Sequence, residues 1–176
     1  MNKCLSVLLV LCLLLGASSA LAQTVTTELM RLDNGVTIVI NHDESVQIKP
    51  AMEEFPESNI WMVTDQVHAN VFLNIAVSEI DSELSLADLT EEEQMQYGRM
   101  IGAMYENPEI HLDTTPSGNL YLHVCSNEES DIDSIFTIYK GCFVELIQFA
   151  NDFAPLTEDD KAFCLSVLHG IEFVAE

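Results

Sequence analysis

Four short extended segments, separated by turn signals, occupy the region from Glu109 to Phe149 and restrict the fold more than any other feature. They cover residues 109–113, 120–126, 135–139 and 143–149. The first two flank the turn sequence Pro116-Ser117-Gly118, and the last two flank Lys140-Gly141. Short connections rich in glycine and proline are typical of neighbouring strands that run antiparallel. The region therefore predicts an antiparallel meander.

Two further strand signals precede this region. Asn34-Gly35 separates the apolar segments 29–32 and 36–40, and this dipeptide readily adopts the positive φ angles of a tight hairpin turn. From Ala69 to Ile80, apolar residues at every second position predict one long strand. Residues 42–68 show no clear period, although prolines bracket a short helical possibility at 51–55.

Two helices are predicted from capping residues and a helical period. The first begins after Thr90, whose hydroxyl and the Glu93 carboxylate can form a capping box, and it ends at Asn107-Pro108. The second begins after Thr157 and runs to about Phe173. Each helix carries one apolar stripe that is expected to pack in the core. The stripes comprise Tyr97, Met100, Ile101, Met104 and Tyr105 in the first helix, and Phe163, Cys164, Val167, Leu168, Ile171 and Val174 in the second.

Together these elements predict an α+β protein, an α/β/α sandwich in which helices cover a largely antiparallel sheet. A cystatin-like or NTF2-like cone, with one helix wrapped by a meander, is the alternative, and the long closing helix argues against it.

The order of elements resembles that of the PsbP-like and DcrB-like extracytoplasmic proteins. Two features support this resemblance. The long strand 69–80 leads into the helix 90–107, and the chain closes with the pattern Phe163-x-x-x-Val167-Leu168-x-x-Ile171-x-Phe173. The resemblance implies an α/β/α sandwich without an established enzymatic site, in a group of small accessory or assembly factors. The strong acidity of this chain and the cysteines beyond its first 22 residues depart from the usual pattern.

The N-terminus has the form of a signal peptide. Lys3 precedes an apolar run over 4–15, and small residues lead to Ala20-Leu21-Ala22. We expect cleavage after residue 22, which leaves a single α+β domain over 23–176 in the periplasm or outside the cell. No later apolar run is long enough to span a membrane.

The charge balance restricts the partners. Six lysines and arginines stand against 29 aspartates and glutamates, for a formal net charge of −23. Such a chain has no basic stripe to neutralise phosphates, so nucleic-acid binding is excluded. The expected partner is an unknown protein or small ligand, with basic character favoured by this charge.

Three cysteines remain after the predicted cleavage, namely Cys125, Cys142 and Cys164. An odd number permits at most one disulfide within the chain, and pairing of Cys125 with Cys142 stays open. The cysteines form no Cys-x-x-Cys motif and no Cys/His pair at zinc spacing. We therefore expect neither a structural metal nor a cofactor. Cys164 is expected to be buried and slow to react.

His123 and Cys125 suggest a nucleophile pair, but strand geometry argues against it. Side chains at i and i+2 lie about 7 Å apart, too far for direct proton transfer. His123 is therefore interpreted as a half-buried sheet residue, and pairing with Cys142 or Cys164 stays open. The other histidines, at 42, 68, 111 and 169, are interpreted as surface residues. The acidic segment 128–133 lacks the ligand spacing of a calcium loop, so it predicts a solvated loop.

Phe55 and Trp61 are the candidate ligand-binding residues, because aromatic side chains interrupt acidic surroundings there. Burial of both rings under the loop is the competing interpretation. No catalytic set is recognisable, so the expected function is that of a noncatalytic secreted or periplasmic binding or accessory protein. The alternative is a small extracytoplasmic hydrolase that uses an Asp/Glu pair.

Overall fold

The computed structural model describes residues 25–32, 35–51, 59–80, 82–126, 132–151 and 154–175. Ten strands and two α-helices lie within these ranges. The strands are β1 (Val25–Arg31), β2 (Val36–Asp43), β3 (Val46–Pro50), β4 (Ile60–Asp65), β5 (Val71–Glu79), β6 (Pro108–Thr114), β7 (Leu120–Ser126), β8 (Ile132–Tyr139), β9 (Cys142–Ala150) and β10 (Ile171–Ala175). The helices are α1 (Glu91–Gly102) and α2 (Glu158–His169), and a short 3-10 turn covers Leu86–Asp88.

All the strand pairs are antiparallel. Seven strands form one sheet in the order β3-β4-β5-β9-β8-β7-β6, and three form a second in the order β1-β2-β10. Strands β6 to β9 follow each other as the predicted meander, and β1 pairs with β2 as the predicted hairpin. Gly35 (φ 83°) and Gly141 (φ 76°) occupy the left-handed region at two of the predicted turns.

The predicted α/β/α sandwich is wrong, because the protein is mostly β. On one face of the large sheet, the three-stranded sheet and α2 together enclose the main core. On the other face α1 packs mainly against β6 and β7, over a smaller core that also includes Phe136 of β8. The two helices have 12 residues each and leave much of the sheet without a helical cover. Two separate sheets also exclude the cone.

The main reason for this difference is the end of the chain. The second helix ends at His169 instead of near Phe173, and residues 171–175 pair with β2. Ile171 fits the helical stripe, but Ile171 and Phe173 together also fit a period of two. In the strand, Ile171 is buried and Val174 is 51% exposed, so one residue of the predicted stripe faces solvent.

The stripe of the first helix is also partly wrong. Met100 is 61% exposed and Met104 is 73% exposed, and the helix ends at Gly102, before Met104. The helix approaches the sheet through Gly98 and Gly102, where an added Cβ would lie 2.5 Å from Ile110 and 3.1 Å from Pro108. Close contact at glycines turns the two methionines away from the core.

Helix α2 is fixed at its start by a charged capping box. The hydroxyl of Thr157 accepts from the Asp160 amide, and the Asp160 carboxylate accepts from the Thr157 amide at 2.9 Å. His68 Nδ1, from the β4–β5 connection, lies 3.2 Å from Asp160 Oδ1. Burial acts to raise the pKa of Asp160, but hydrogen bonds from Thr157 and the contact with His68 outweigh it and lower this pKa. The carboxylate therefore stays charged and ties the helix to that connection.

We expect Asp160→Ala to lower the free energy of unfolding at neutral pH by about 1 kcal/mol, a typical value for a lost cap. Since the folded state lowers the pKa of Asp160, its stabilising effect is complete above the ordinary value of 3.8. That effect disappears as the pH falls through the folded-state pKa, so wild type and variant should converge in acid. Urea titrations at several pH values measure this. Glu93→Ala, which removes the α1 capping box without touching His68, is the matched control, and only Asp160→Ala should change the NMR chemical shifts of the His68 ring. An unchanged difference in stability in acid would contradict the assignment.

Candidate functional site

A cavity of about 620 Å³ lies where the β2–β3 turn, the β4–β5 connection and helix α2 meet. Its volume falls in the range of small-molecule sites. Three aspartates line it, namely Asp43, Asp65 and Asp159, and the described residues that line it include no lysine or arginine. Buried apolar side chains, among them Val46 and Phe163, contribute part of the wall. The cavity is therefore acidic with an apolar part.

Two buried polar atoms at this cavity have no hydrogen-bond partner among the described residues, namely His42 Nε2 and Asp65 Oδ1. His42 is only 8% exposed, and its Nδ1 lies 2.8 Å from the Asp43 carbonyl oxygen. A carbonyl oxygen accepts only, so Nδ1 donates and Nε2 of a neutral ring is left as an acceptor. The Asp65 carboxylate oxygen is an acceptor too. A donor group placed beside them would satisfy both atoms.

One wall of the cavity is held rigid by an aromatic contact. The ring of His68 stacks on Phe163 of α2, with centroids 4.6 Å apart and planes at 11°. The same histidine is bonded to Asp160, so its position is set from two sides. A ligand here would meet a preformed surface, which reduces the entropy cost of binding.

The histidines differ in part from the surface positions expected for them. His111 and His169 are exposed as predicted, but His42 is buried and His68 is only partly accessible. The sequence carried a signal for His42, since Val36, Ile38 and Ile40 continue in steps of two to residue 42, and all four are buried.

Trp61 is not among the described residues that line this cavity. Trp61 lies on β4 in the large sheet, half-buried against the main core, and not in an irregular loop. It is four residues from Asp65, about 13 Å along the strand. Phe55 lies outside the described residues, as do positions 128–131 of the acidic segment. Recognition through Phe55 and Trp61 stays a prediction.

A second polar cluster lies near the β6 edge of the large sheet. His123 Nε2 is 2.6 Å from Asp133 Oδ1, and ligand atoms of His123, Cys125 and Asp133 all lie within 4.8 Å of one another. The atoms of Glu109, His111 and Cys125 form a second such group. His123 is half-buried as predicted, but its ring comes nearer to the Cys125 sulfur than strand spacing alone suggests.

The three cysteines are free, and no Cys125–Cys142 bridge exists. Cys125 lies on β7 and Cys142 lies on β9. Strand β8 runs between them, so the two strands are about 9–10 Å apart, too far for a disulfide. Cys164 is fully buried, as predicted. Burial raises the pKa of all three thiols, and Asp133 and Glu109 add to this at Cys125. The pKa of Cys142 rises to about 12.

None of the helices in the described part of the chain has the length and apolar character needed to cross a membrane. No family model matches the chain, and no curated protein sequence does.

Two solved structures are similar in arrangement. The solution structure of cyanobacterial PsbP from Synechocystis sp. PCC 6803 is 13% identical, with a TM-score of 0.45 over 89% of this chain and 96% of that one. A crystal structure from Bacteroides thetaiotaomicron is 6% identical, with a TM-score of 0.42 over 79% of this chain and 46% of that one. The expected resemblance to PsbP-like proteins is thus found in part, in arrangement only. Neither likeness assigns a family or an activity to this chain.

Proposed function

We propose that this protein is a noncatalytic extracytoplasmic binding protein whose acidic cavity takes a small organic cation that carries N–H donors. The observation that carries the proposal is the pair of buried acceptors, His42 Nε2 and Asp65 Oδ1, without partners among the described residues. A buried acceptor left unpaired costs about 1–3 kcal/mol, so a molecule that donates to both gains affinity from each.

The charge of the cavity favours a cation over a neutral donor. Asp43, Asp65 and Asp159 line one space, and the chain as a whole carries a formal charge of −23. Hydrogen bonds between an ammonium group and carboxylates are roughly twice as strong as neutral ones. The negative field also attracts cations from a distance and speeds their encounter with the site. Val46 and Val167 offer apolar contact for the carbon chain of such a ligand.

The predicted signal peptide supports a location outside the cytoplasm, and an accessory role fits a protein that binds without turnover. A hydrolase is the competing proposal. It would need two carboxylates that act on opposite sides of one bond. Turnover of a glycan or ester panel that disappears when Asp65 is changed to Asn would favour the hydrolase and contradict the noncatalytic proposal.

Calorimetric titration of the mature protein with putrescine tests the binding proposal. We expect saturable binding that weakens with added salt, as Debye screening requires. Asp65→Asn should reduce affinity about tenfold or more, the loss expected for a hydrogen bond to a charged group. The uncharged diol analogue of putrescine and tetramethylammonium, which has no N–H donor, should both bind more weakly.

Asp113→Asn is the matched control, since Asp113 is an exposed aspartate on β6 and does not line the cavity. This variant should bind putrescine as the wild type does. Equal loss in both variants would indicate a response to net charge alone and would refute a defined site. So would putrescine binding that Asp65→Asn leaves unchanged.

A further inference from the structure

We propose a zinc site at the edge of the large sheet, in which His123, Cys125 and Asp133 are the protein ligands. These residues lie outside the acidic cavity, and the inference does not depend on the proposed function. Their ligand atoms lie within 4.8 Å of one another.

Strand register brings the three side chains to one face. Cys125 of β7 pairs with Asp133 of β8, and His123 lies two residues before Cys125 on the same side of the sheet. Atoms bound to a tetrahedral zinc ion at 2.0–2.3 Å are about 3.3–3.8 Å apart. The observed group therefore needs side-chain shifts of roughly 1 Å, and no change of register.

Asp133 supplies the independent sign of a ligand. The residue is 1% exposed, and its Oδ2 has no hydrogen-bond partner in the described part of the chain. A buried carboxylate is costly unless a cation or donors compensate for it. His123 satisfies only Oδ1. Lys161 is a cation whose charge acts on Cys125. Its ammonium group, however, forms an ion pair with Glu158 at 3.1 Å.

The donor set selects the metal. Thiolate, imidazole and carboxylate together suit zinc, whereas calcium and magnesium prefer oxygen ligands alone. On the neighbouring strand β6, Glu109 pairs with Cys125 and His111 pairs with His123. Both β6 side chains are at least half exposed, and His111 Nε2 lies 3.4 Å from Glu109 Oε2. They lie beside the three ligands, on the exposed side of the cluster.

Cobalt substitution tests the site directly, because Co²⁺ adopts zinc geometry and reports a thiolate ligand by a charge-transfer band in the near ultraviolet. With the mature protein kept reduced, we expect one equivalent of Co²⁺ to produce this band and Zn²⁺ to abolish it. Cys125→Ser should remove the band, and Asp133→Asn should weaken zinc binding at least about tenfold. His169→Gln, an exposed histidine on α2, should leave both unchanged.

Protection of the thiols provides a readout that needs no variant. Zinc should slow alkylation of Cys125, mapped by mass spectrometry, without changing the slow reaction of buried Cys164. Absence of the cobalt band in the wild type would overturn the proposal. Zinc binding that Cys125→Ser leaves intact would overturn it equally, as would alkylation of Cys125 at the same rate with and without zinc.

Discussion

Gly170→Ala is expected to lower the free energy of unfolding by about 3 kcal/mol, the upper part of the usual range for overpacking. Gly170 joins α2 to β10, and a Cβ added there would lie 2.0 Å from the carbonyl oxygen of Asn41. The obstacle is backbone, so no rotamer change relieves it. The Gly170 oxygen also accepts from the Asn41 amide at 2.9 Å, and separating the two strands would break this bond.

The effect should extend to the acidic cavity, because Asn41 and His42 line it from β2. Urea denaturation measures the stability, and calorimetry with putrescine measures the cavity. Gly98→Ala is the control. There the added Cβ would meet Ile110 Cγ2 at 2.5 Å, a side-chain methyl and not backbone, so a shift of the Ile110 side chain can relieve the contact. Alanine gains about 1 kcal/mol over glycine in a helix, which offsets part of that contact. Equal stability of Gly170→Ala and wild type would show that β10 does not hold the position described.

The parts of the fold that were predictable are those that local chemistry decides. Thr90 and Thr157 begin the two helices as expected. The predicted capping box is present at Thr90, and Thr157 forms one as well. Lys140-Gly141 forms the turn between β8 and β9, where both residues have positive φ. These features depend on residues within four positions of each other, so one sequence is enough to recognise them.

The architecture was not predictable to the same degree, because its deciding residues satisfy two periods. Ile171 and Val174 extend the helical stripe, yet Ile171 and Phe173 also alternate as a strand. Pairing with the open edge of β2 selects the strand over the helix, and that edge exists only in the folded protein. Once β10 pairs there, a second sheet replaces part of the helical layer.

The two candidate sites differ in the same way. The polar cluster near the β6 edge was half predictable, since the turn at 116–118 places His111 opposite His123 and Glu109 opposite Cys125. Asp133 follows the longer connection between β7 and β8, so its pairing with Cys125 could not be derived from the sequence. The acidic cavity joins side chains from β2, β4 and α2, three segments far apart in sequence. No spacing rule connects them.

The second large effect is expected for Phe136→Ala, which should lower the free energy of unfolding by about 3–5 kcal/mol. Phe136 is fully buried in the smaller core under α1, where it contacts Phe143 with ring centroids 5.5 Å apart. Its removal leaves a cavity that a sheet and a short helix cannot close by a small movement.

Phe72→Ala is the matched control, because Phe72 lies on the same face of the large sheet but is only half-buried. Its ring stacks on Phe149 at 5.3 Å and lies away from the strands that α1 covers. A loss of about 1–2 kcal/mol is expected there, in proportion to the smaller area removed from water. Comparable losses in the two variants, measured by urea denaturation, would mean that α1 does not close a core over Phe136. Since β8 carries both Phe136 and Asp133, Phe136→Ala should also weaken Co²⁺ binding, whereas Phe72→Ala should not.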